Sequence, residues 1–260
     1  MTILSDKQIT ERLHRTVIID PFDPRNVNTS SYDVTLGENY FLEHEPGYWR
    51  SFKNFFLREP TVYNIWSKAD VEKVWGESIY ATAARVIFKR PWVERATPGN
   101  WPWIGINPLD KIILIPPKHT ILAHTIEFIG GRDFLDGTFR MSHDDPPCTS
   151  MMKARSSFGR NFIRVCASAG YGDVGYFNRW TMEIENTSRF YHIPLVVGRR
   201  IAQIVFMETG TLINKDYSFA GNYQDSPDLE RLKSSWTPSM MLPRLDKDRD
   251  IQHRKEYTNA

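Results

Sequence analysis

The feature that most constrains the fold is a series of short runs in which apolar and polar residues alternate, most of them ended by glycine or proline. The clearest runs cover residues 32–36, 112–115, 121–129, 162–167, 179–185, 193–197 and 201–207. Alternation with a period of two is typical of β-strands. Many short strands separated by turns are typical of a barrel or a jelly roll, so the sequence predicts a mainly β fold.

Helices are predicted at two places. Ser5 or Asp6 can cap an N-terminal helix in which Ile9 and Leu13 share one face. A second helix is predicted over residues 68–75. It lies in a segment, 45–104, that contains six of the eight tryptophans, which we interpret as an inserted, aromatic-rich α+β segment. Residues 226–260 are polar, with Trp236 as the only large anchor, and we expect this tail to be partly mobile or to lie across a neighbouring subunit.

Charge and cysteine content narrow the class of protein. With 33 basic and 31 acidic side chains, the net charge of +2 gives no global attraction to nucleic acid or a membrane. No apolar run approaches the roughly 20 residues of a membrane span, and the first residues lack a signal-peptide pattern. Two cysteines, Cys148 and Cys166, fit a reducing cytosol, so we expect a cytoplasmic protein. Zinc-dependent base deaminases need Pro-Cys-x-x-Cys, and no second cysteine follows Cys148, so no zinc is expected.

Residues of the types that act in catalysis and ligand binding are concentrated between residues 154 and 186. The segment begins with Arg155, Ser156, Ser157, Gly159 and Arg160, which can offer guanidinium, hydroxyl and backbone N–H groups to a polyphosphate. A solvated turn is the alternative interpretation of this short motif. A glycine-rich loop over residues 170–176 follows, containing one carboxylate and two aromatic side chains.

The segment ends in a run that alternates cleanly. Trp180, Met182 and Ile184 point to one face of the predicted strand, whereas Thr181, Glu183 and Glu185 point to the other. A carboxylate opposite an apolar face is either a solvated outer residue or an acid–base group.

The spacing of these motifs resembles that of the dCTP deaminase branch of the dUTPase superfamily. Asp173 follows Arg160 by thirteen residues, and Glu183 follows Asp173 by ten, as in that branch. Four further segments agree in order: 3–9, 30–37, 198–206, and Tyr217 with 221–224. The resemblance covers about 1–40 and 105–225. It implies a distorted jelly-roll or β-barrel of the dUTPase-like (β-clip) type, with one domain over 1–225 that carries the 45–104 insertion.

The resemblance also implies hydrolytic deamination of dCTP to dUTP and ammonia, and a role for each matching residue. Glu183 is expected to be the general base that activates water, with Ser156 and Arg160 holding that water. The substrate-binding residues are expected to be Arg155 and Ser157 at the phosphates, Asp173 at the deoxyribose 3′-hydroxyl, Tyr176 at the sugar, the backbone of Ser168 and Ala169 at the pyrimidine, and Tyr217, Tyr223 and Gln224 around the triphosphate. Mg²⁺ is expected on the substrate phosphates, and a homotrimer is expected to place Arg and Ser of one chain opposite Glu of the next.

Four positions depart from the family pattern. Cys166 and Tyr171 stand where the family usually has His and Arg, and Asn178 and Asn222 stand where it has Gly and a phosphate-binding Lys. Lys215 or a residue of the insertion is a candidate substitute for that lysine, and binding of phosphate or feedback by dTTP is open at this stage. His143, Asp144 and Asp145 could form a metal site, although a polar loop is the simpler interpretation.

Several other functions remain open from the sequence. A dUTPase shares the arginine–serine motif and the Asp loop but normally has an apolar residue where Glu183 stands. A bifunctional enzyme could carry dCTP through to dUMP and pyrophosphate, with Asp173 orienting a second water. A deaminase for a modified deoxycytidine nucleotide and a nucleotide-sensing binder without turnover are the remaining alternatives.

Overall fold

A computed structural model describes residues 2–46, 60–88, 101, 103–133, 145–212, 217–224 and 226–251 of the 260-residue chain. The strands in these ranges are β1 (Val17–Asp20), β2 (Val27–Asn28), β3 (Ser31–Leu42), β4 (Ile79–Tyr80), β5 (Thr82–Ala83), β6 (Lys111–Ile115), β7 (Thr120–Gly131), β8 (Cys148–Ala154), β9 (Ile163–Val165), β10 (Tyr171–Gly172), β11 (Phe177–Asn186), β12 (Ile193–Val196) and β13 (Arg200–Glu208). The helices are α1 (Asp6–Glu11), α2 (Lys68–Trp75), α3 (Ala84–Ile87), α4 (Ser156–Arg160), α5 (Tyr217–Ala220) and α6 (Leu229–Ser235), with 3₁₀ turns at Pro24–Asn26, Pro238–Met241 and Leu245–Lys247. The mainly β prediction is confirmed.

Antiparallel pairing joins most of these strands into one large sheet that curls into a half-barrel. The strand order along the sheet is β10-β8-β13-β3-β7-β11-β9, with β1 added to β7, and β2 and β4 added to β3. A smaller sheet has the order β12-β6-β5. Each of the predicted alternating runs overlaps a strand, and the barrel-like architecture agrees with the expected fold.

The N-terminal helix begins where the capping signal predicts. Ser5 is the N-cap of α1, and its side chain and that of Gln8 form a reciprocal capping box. Ile9 is completely buried in the main core, next to Leu4 and the β1 residue Val17. The apolar face of the helix therefore packs into the main core.

The two faces of β11 differ as the sequence predicts. Trp180, Met182 and Ile184 are buried in the main core, whereas Thr181, Glu183 and Glu185 on the opposite face are half-buried. Because β11 pairs with β7 on one side and β9 on the other, its position in the sheet is fixed from both edges.

The C-terminal segment covers part of the Glu183 face of the sheet. Leu232 of α6 packs with Phe128 and Phe177, and Met241 packs with Phe41 and Leu122. The sequence predicts a tail that is partly mobile or lies across a neighbouring subunit. In this chain the residues named here pack on their own sheet through apolar side chains, and contact with a neighbouring subunit stays a prediction.

Only part of the tryptophan-rich insertion lies in the described ranges. The helix predicted there is confirmed as α2, with Val71 buried, and β4 and β5 join it to the two sheets. Trp49 and Trp92 lie outside the described residues, and the division into one domain with an insertion stays a prediction. None of the helices in the described ranges is both long and apolar enough to cross a membrane.

Candidate active site

Glu183 places a partly desolvated carboxyl group on the outer face of β11. Its Oε2 atom is buried and has no hydrogen-bond partner among the described residues. Burial raises the pKa of Glu183 above its usual range, because the charged form loses hydration. A carboxyl group in such surroundings can accept and release a proton closer to neutral pH than an exposed glutamate can.

Two loops lie near Glu183: the loop between β9 and β10, and the loop that follows β10. The Cys166 N–H donates to the Glu183 carbonyl oxygen at 3.0 Å, which holds the start of the 166–170 loop against β11. Ser168 and Ala169 are exposed in this loop, so their backbone groups are accessible to a ligand. Burial raises the pKa of the Tyr176 hydroxyl, and the nearby Tyr217, Cys166 and Glu183 raise it further. Tyr176 therefore stays protonated near the carboxyl group.

The loop that contains Asp173 packs against α5. The Tyr176 N–H donates to the Asp173 carbonyl at 3.0 Å, and the Tyr217 N–H donates to the Val174 carbonyl at 2.8 Å. The rings of Tyr176 and Tyr217 meet edge to face with centroids 5.5 Å apart. The Asp173 side chain is exposed at the rim of this aromatic pair, where it can contact a ligand.

Gln224 and Asn178 hold the 217–224 segment in place. Gln224 is buried; its Oε1 accepts from the Phe177 N–H at 2.8 Å, and its Nε2 donates to the Gly175 carbonyl at 2.9 Å. Asn178 donates to the Tyr223 carbonyl at 3.1 Å. The structure therefore brings together Asp173, Tyr176, Tyr217, Tyr223 and Gln224, and Glu183 lies near enough to Tyr176 to raise its pKa. The amide of Gln224 is engaged by backbone, which makes it a positioning group here.

The arginine–serine motif forms the short helix α4 after β8. Ser156, Ser157 and Arg160 are exposed. Arg155, the residue before the helix, donates from Nε to Oδ2 of Asp33 at 3.2 Å. The side chain of Asp33 is only 4% exposed, so this ion pair fixes the start of the motif to β3.

The structure shows no direct contact between the two groups of predicted residues within one chain. Strands β13, β3 and β7 lie between β8 and β11 in the sheet order, but the sheet curls so that α4 and β8 both contact β9, the strand that pairs with β11. Across the described residues, no hydrogen bond or ion pair joins Arg155, Ser156, Ser157 or Arg160 to Glu183. We call the residues around Glu183 the carboxylate half-site and those around Arg155 the arginine half-site.

Comparison with known proteins identifies the family. Residues 78–209 match the family described as dCTP deaminase-like. The chain belongs to this family. Glu183, Asp173 and the arginine–serine motif all lie inside the matching residues, so the resemblance inferred from their spacing is confirmed.

The similarity to individual named proteins covers more of the chain than residues 78–209. The chain is 27% identical over 208 residues to a protein of Methanobrevibacter smithii named dCTP deaminase, dUMP-forming, covering 79% of this chain and 80% of that one. A Clostridium acetobutylicum protein of the same name is 25% identical over 228 residues, covering 88% and 94%. Among solved structures, the 2′-deoxycytidine 5′-triphosphate deaminase of Agrobacterium tumefaciens has a TM-score of 0.43 at 14% identity, over 82% of this chain and half of that one.

Three of the four departures noted in the sequence lie in defined surroundings: Cys166, Asn178 and Asn222; the fourth, Tyr171, is exposed. Cys166 is buried, and burial raises its pKa to about 12, so the thiol is neutral. Asn178 ties β11 to Tyr223, as described above. The Asn222 carbonyl accepts from the Arg244 guanidinium at 2.8 Å, which places a cation beside the position that carries lysine in the family. Lys215, the substitute considered from sequence, lies outside the described residues.

The metal site considered for residues 143–145 is only partly described. Asp145 forms ion pairs with Arg12 at 3.5 Å and Arg15 at 2.6 Å. His143 and Asp144 lie outside the described residues, and within the described ones no cluster of three or more His, Cys, Asp or Glu side chains could hold a metal ion.

Asp33 is the site residue that the sequence interpretation missed. It stands in the predicted 30–37 segment, but no role was assigned to it. The sequence signal was the position of Asp33 between the apolar residues Tyr32 and Val34 of a predicted strand. All three residues are buried in β3, and a carboxylate buried there needs cationic partners.

Proposed function

We propose that this chain is a hydrolase that deaminates dCTP, releasing ammonia from C4 of the cytosine. The observation that carries this proposal is the half-buried Glu183 carboxyl, with its unpartnered Oε2 and its raised pKa. Family membership supports the choice of substrate, because the spacing from Arg160 through Asp173 to Glu183 is retained in full.

The proposed reaction needs one proton acceptor that later becomes a donor. Glu183 takes a proton from water as the hydroxide adds to C4 and delivers it to ring nitrogen N3. It then takes the proton of the new C4 hydroxyl and delivers it to the amino group as the C4–N bond breaks and the C4 carbonyl forms. The products are dUTP and ammonia, and one water is consumed. A carboxylate of raised pKa suits both water addition and ammonia release. It binds the proton firmly enough to remove it from water, and it can then release a proton to the leaving amine. Ser156 and Arg160 hold the water in this proposal.

The remaining predicted residues bind the substrate. Asp173 accepts from the 3′-hydroxyl of the deoxyribose, Tyr176 packs on the sugar, and Tyr217 and Tyr223 close over the triphosphate. The backbone of Ser168 and Ala169 reads the pyrimidine edge. The rim position of Asp173 beside the Tyr176–Tyr217 pair supports this arrangement.

We propose that Mg²⁺ enters on the phosphates rather than on a protein carboxylate. The carboxylates next to the arginine motif are committed to arginines: Asp33 accepts from Arg155 and Arg200, and Asp23 accepts from Arg25. Phosphate oxygens are the donors that Mg²⁺ commonly uses with nucleotides.

We propose a homotrimer in which the site is shared between chains. Ser156, Ser157 and Arg160 are exposed on α4, as residues that complete a neighbour's site must be. In this arrangement they face Glu183 of the next chain. We propose a cytoplasmic location, because Cys148 and Cys166 are free thiols, as is common in a reducing compartment.

A second candidate adds hydrolysis of the phosphate chain. The relatives named above are dUMP-forming, which favours continuation from dUTP to dUMP and pyrophosphate. Asp173 is then the group that orients the second water. A modified cytosine nucleotide as the substrate keeps the same chemistry at C4.

The deciding experiment is product analysis of the full chain incubated with dCTP and Mg²⁺. Ammonia with dUTP is expected for deamination alone, and ammonia with dUMP and pyrophosphate is expected for the bifunctional enzyme. Parallel incubations with dUTP and 5-methyl-dCTP separate the dUTPase and modified-base alternatives. Binding of dCTP without any product would refute the enzymatic proposal.

A further inference from the structure

An open cleft next to the arginine–serine motif is lined by arginines from three separate segments of the chain. The cleft has a volume of about 590 Å³, within the roughly 300–1,000 Å³ typical of ligand sites. Its charged lining residues are Arg25, Arg155, Arg199, Arg200 and Asp23, and Asn26 and Thr35 add polar groups. Only Arg155 among these arginines was expected to bind substrate.

Asp33 forms ion pairs with two of these arginines. Its Oδ2 accepts from Arg155 Nε and from Arg200 NH1, both at 3.2 Å. One buried carboxylate therefore supports two guanidinium groups, so a positive charge remains uncompensated at this point. The two side chains are 32% and 45% exposed, which leaves N–H groups free to face the cleft.

Two further arginines extend the basic surface. Arg199 lies next to Arg200, just after the turn at Gly198, and is held by Asp110 at 3.1 Å. Arg25 is held by a fork of hydrogen bonds to Asp23, including one of 2.7 Å. These ion pairs fix the directions of long side chains, which reduces the entropy lost when an anion binds.

We propose that Arg199 and Arg200, together with Arg25, form a polyphosphate-binding subsite that continues from Arg155. The ligand class is the triphosphate tail of the nucleotide, and this assignment rests on the proposed function. The subsite adds positive charge from Arg199, Arg200 and Arg25 to that of Arg155. Arginine suits this task because its planar fork binds phosphate oxygens in pairs.

The test measures binding of inorganic tripolyphosphate to the full chain by calorimetry, beside the kinetics of dCTP deamination. Arg199→Ala and Arg200→Ala are each expected to weaken tripolyphosphate binding and raise the KM for dCTP by roughly tenfold, because a charge-assisted hydrogen bond is lost. The kcat is expected to change less than about twofold, since neither residue reaches the base. Arg249→Ala is the matched control, because Arg249 is 88% exposed and distant in sequence from the cleft.

The outcomes separate this subsite from the deaminase proposal. If the variants bind tripolyphosphate and dCTP as the parent chain does, or if the parent chain fails to bind tripolyphosphate, the subsite is refuted even when ammonia is released. If the parent chain releases no ammonia but the arginine variants lose tripolyphosphate binding, the deamination proposal fails and the anion site stands. Because Arg200 also compensates buried Asp33, Arg199→Ala decides the question if Arg200→Ala does not fold.

Discussion

The imidazole ring of His124 packs directly on the Cα of Gly37, in the space that a side chain at position 37 would occupy. Gly37 ends the 30–37 segment, at the point where the register between β3 and β7 shifts. The His124 ring is fully buried; its Nδ1 lies 2.8 Å from the Thr125 carbonyl, and Trp236 of the C-terminal segment packs on it. The glycine therefore allows β3, β7 and the C-terminal segment to meet at one histidine.

Replacing Gly37 by alanine should destabilise the fold. The added methyl group has no room unless the buried His124 ring moves, so we expect Gly37→Ala to lower the free energy of unfolding by about 1–3 kcal/mol. Urea denaturation measures the change. Gly210→Ala is the control, because a Cβ there meets nothing within 4 Å. Equal stability of the two variants would contradict the packing argument.

Stability should fall as the pH is lowered from about 6.5 towards 4. Burial lowers the pKa of His124 from 6.5 to about 4, so the folded state keeps its imidazole neutral where the unfolded state binds a proton. The stabilisation is complete above pH 6.5, and up to roughly 3 kcal/mol is lost as the pH approaches 4. Unfolding free energies of the parent chain and His124→Gln across this range isolate the effect, because the buried glutamates are common to both. Parallel pH curves would exclude His124 as the cause.

Glu183→Gln should abolish ammonia release from dCTP while dCTP still raises the Tm. The amide keeps the shape of the side chain but cannot accept a proton, and loss of a general base typically costs 10²–10⁴-fold in rate. Glu185→Gln is the matched control, since Glu185 lies two residues along the same face of β11 and pairs with Arg164 at 3.4 Å. Substantial ammonia release by the Glu183 variant would remove this residue from the mechanism.

Asp173→Asn should weaken binding of deoxynucleotides. The charged acceptor that the proposal places at the 3′-hydroxyl is lost, and we expect a rise of roughly tenfold in the KM for dCTP with a smaller effect on binding of 2′,3′-dideoxy-CTP, which lacks that hydroxyl. Competition between dCTP and 2′,3′-dideoxy-CTP measures the discrimination. If the preference between these two nucleotides is unchanged, the sugar-binding role of Asp173 is wrong.

Gln224→Ala should detach the 217–224 segment from the loop that precedes β11. The substitution leaves the buried Phe177 N–H and Gly175 carbonyl without partners, which costs about 1–3 kcal/mol of stability. Hydrogen exchange at Phe177 should accelerate as well. Asn222→Ala provides the comparison, because the Asn222 side chain is exposed in the same segment. A neutral effect of Gln224→Ala would argue that another contact holds the segment.

The parts of the fold that the sequence predicts are those governed by local alternation. Runs such as 179–185 and 201–207 form strands because one face must be apolar, and Ser5 caps α1 through neighbours only three residues away. Strand β8 was missed, since its first residues, Cys148 to Ser150, are buried on both faces and show no alternation.

The rest of the candidate site depends on contacts between residues far apart in the sequence. Asp33 meets Arg200 because β3 pairs with β13, and it meets Arg155 because β8 pairs with the other edge of β13. Nothing near Asp33 in the sequence indicates those partners. In the sequence Trp236 stands in a polar tail, but in the fold its ring lies 4.6 Å from the Arg179 guanidinium group. Motif spacing identified Glu183 and Asp173 as candidates, whereas the surroundings that raise the pKa of Glu183 required the folded chain.

The exposure of Ser156, Ser157 and Arg160 on α4 has a consequence for mixed assemblies under the proposed trimer. If each site takes these residues from one chain and Glu183 from the next, a variant lacking Glu183 and a variant lacking Arg160 are each inactive alone. Mixed trimers of the two variants then regain activity at sites where each contributing chain keeps the residue that it supplies. Under the same proposal, one defective chain also inactivates the site that it shares with its neighbour.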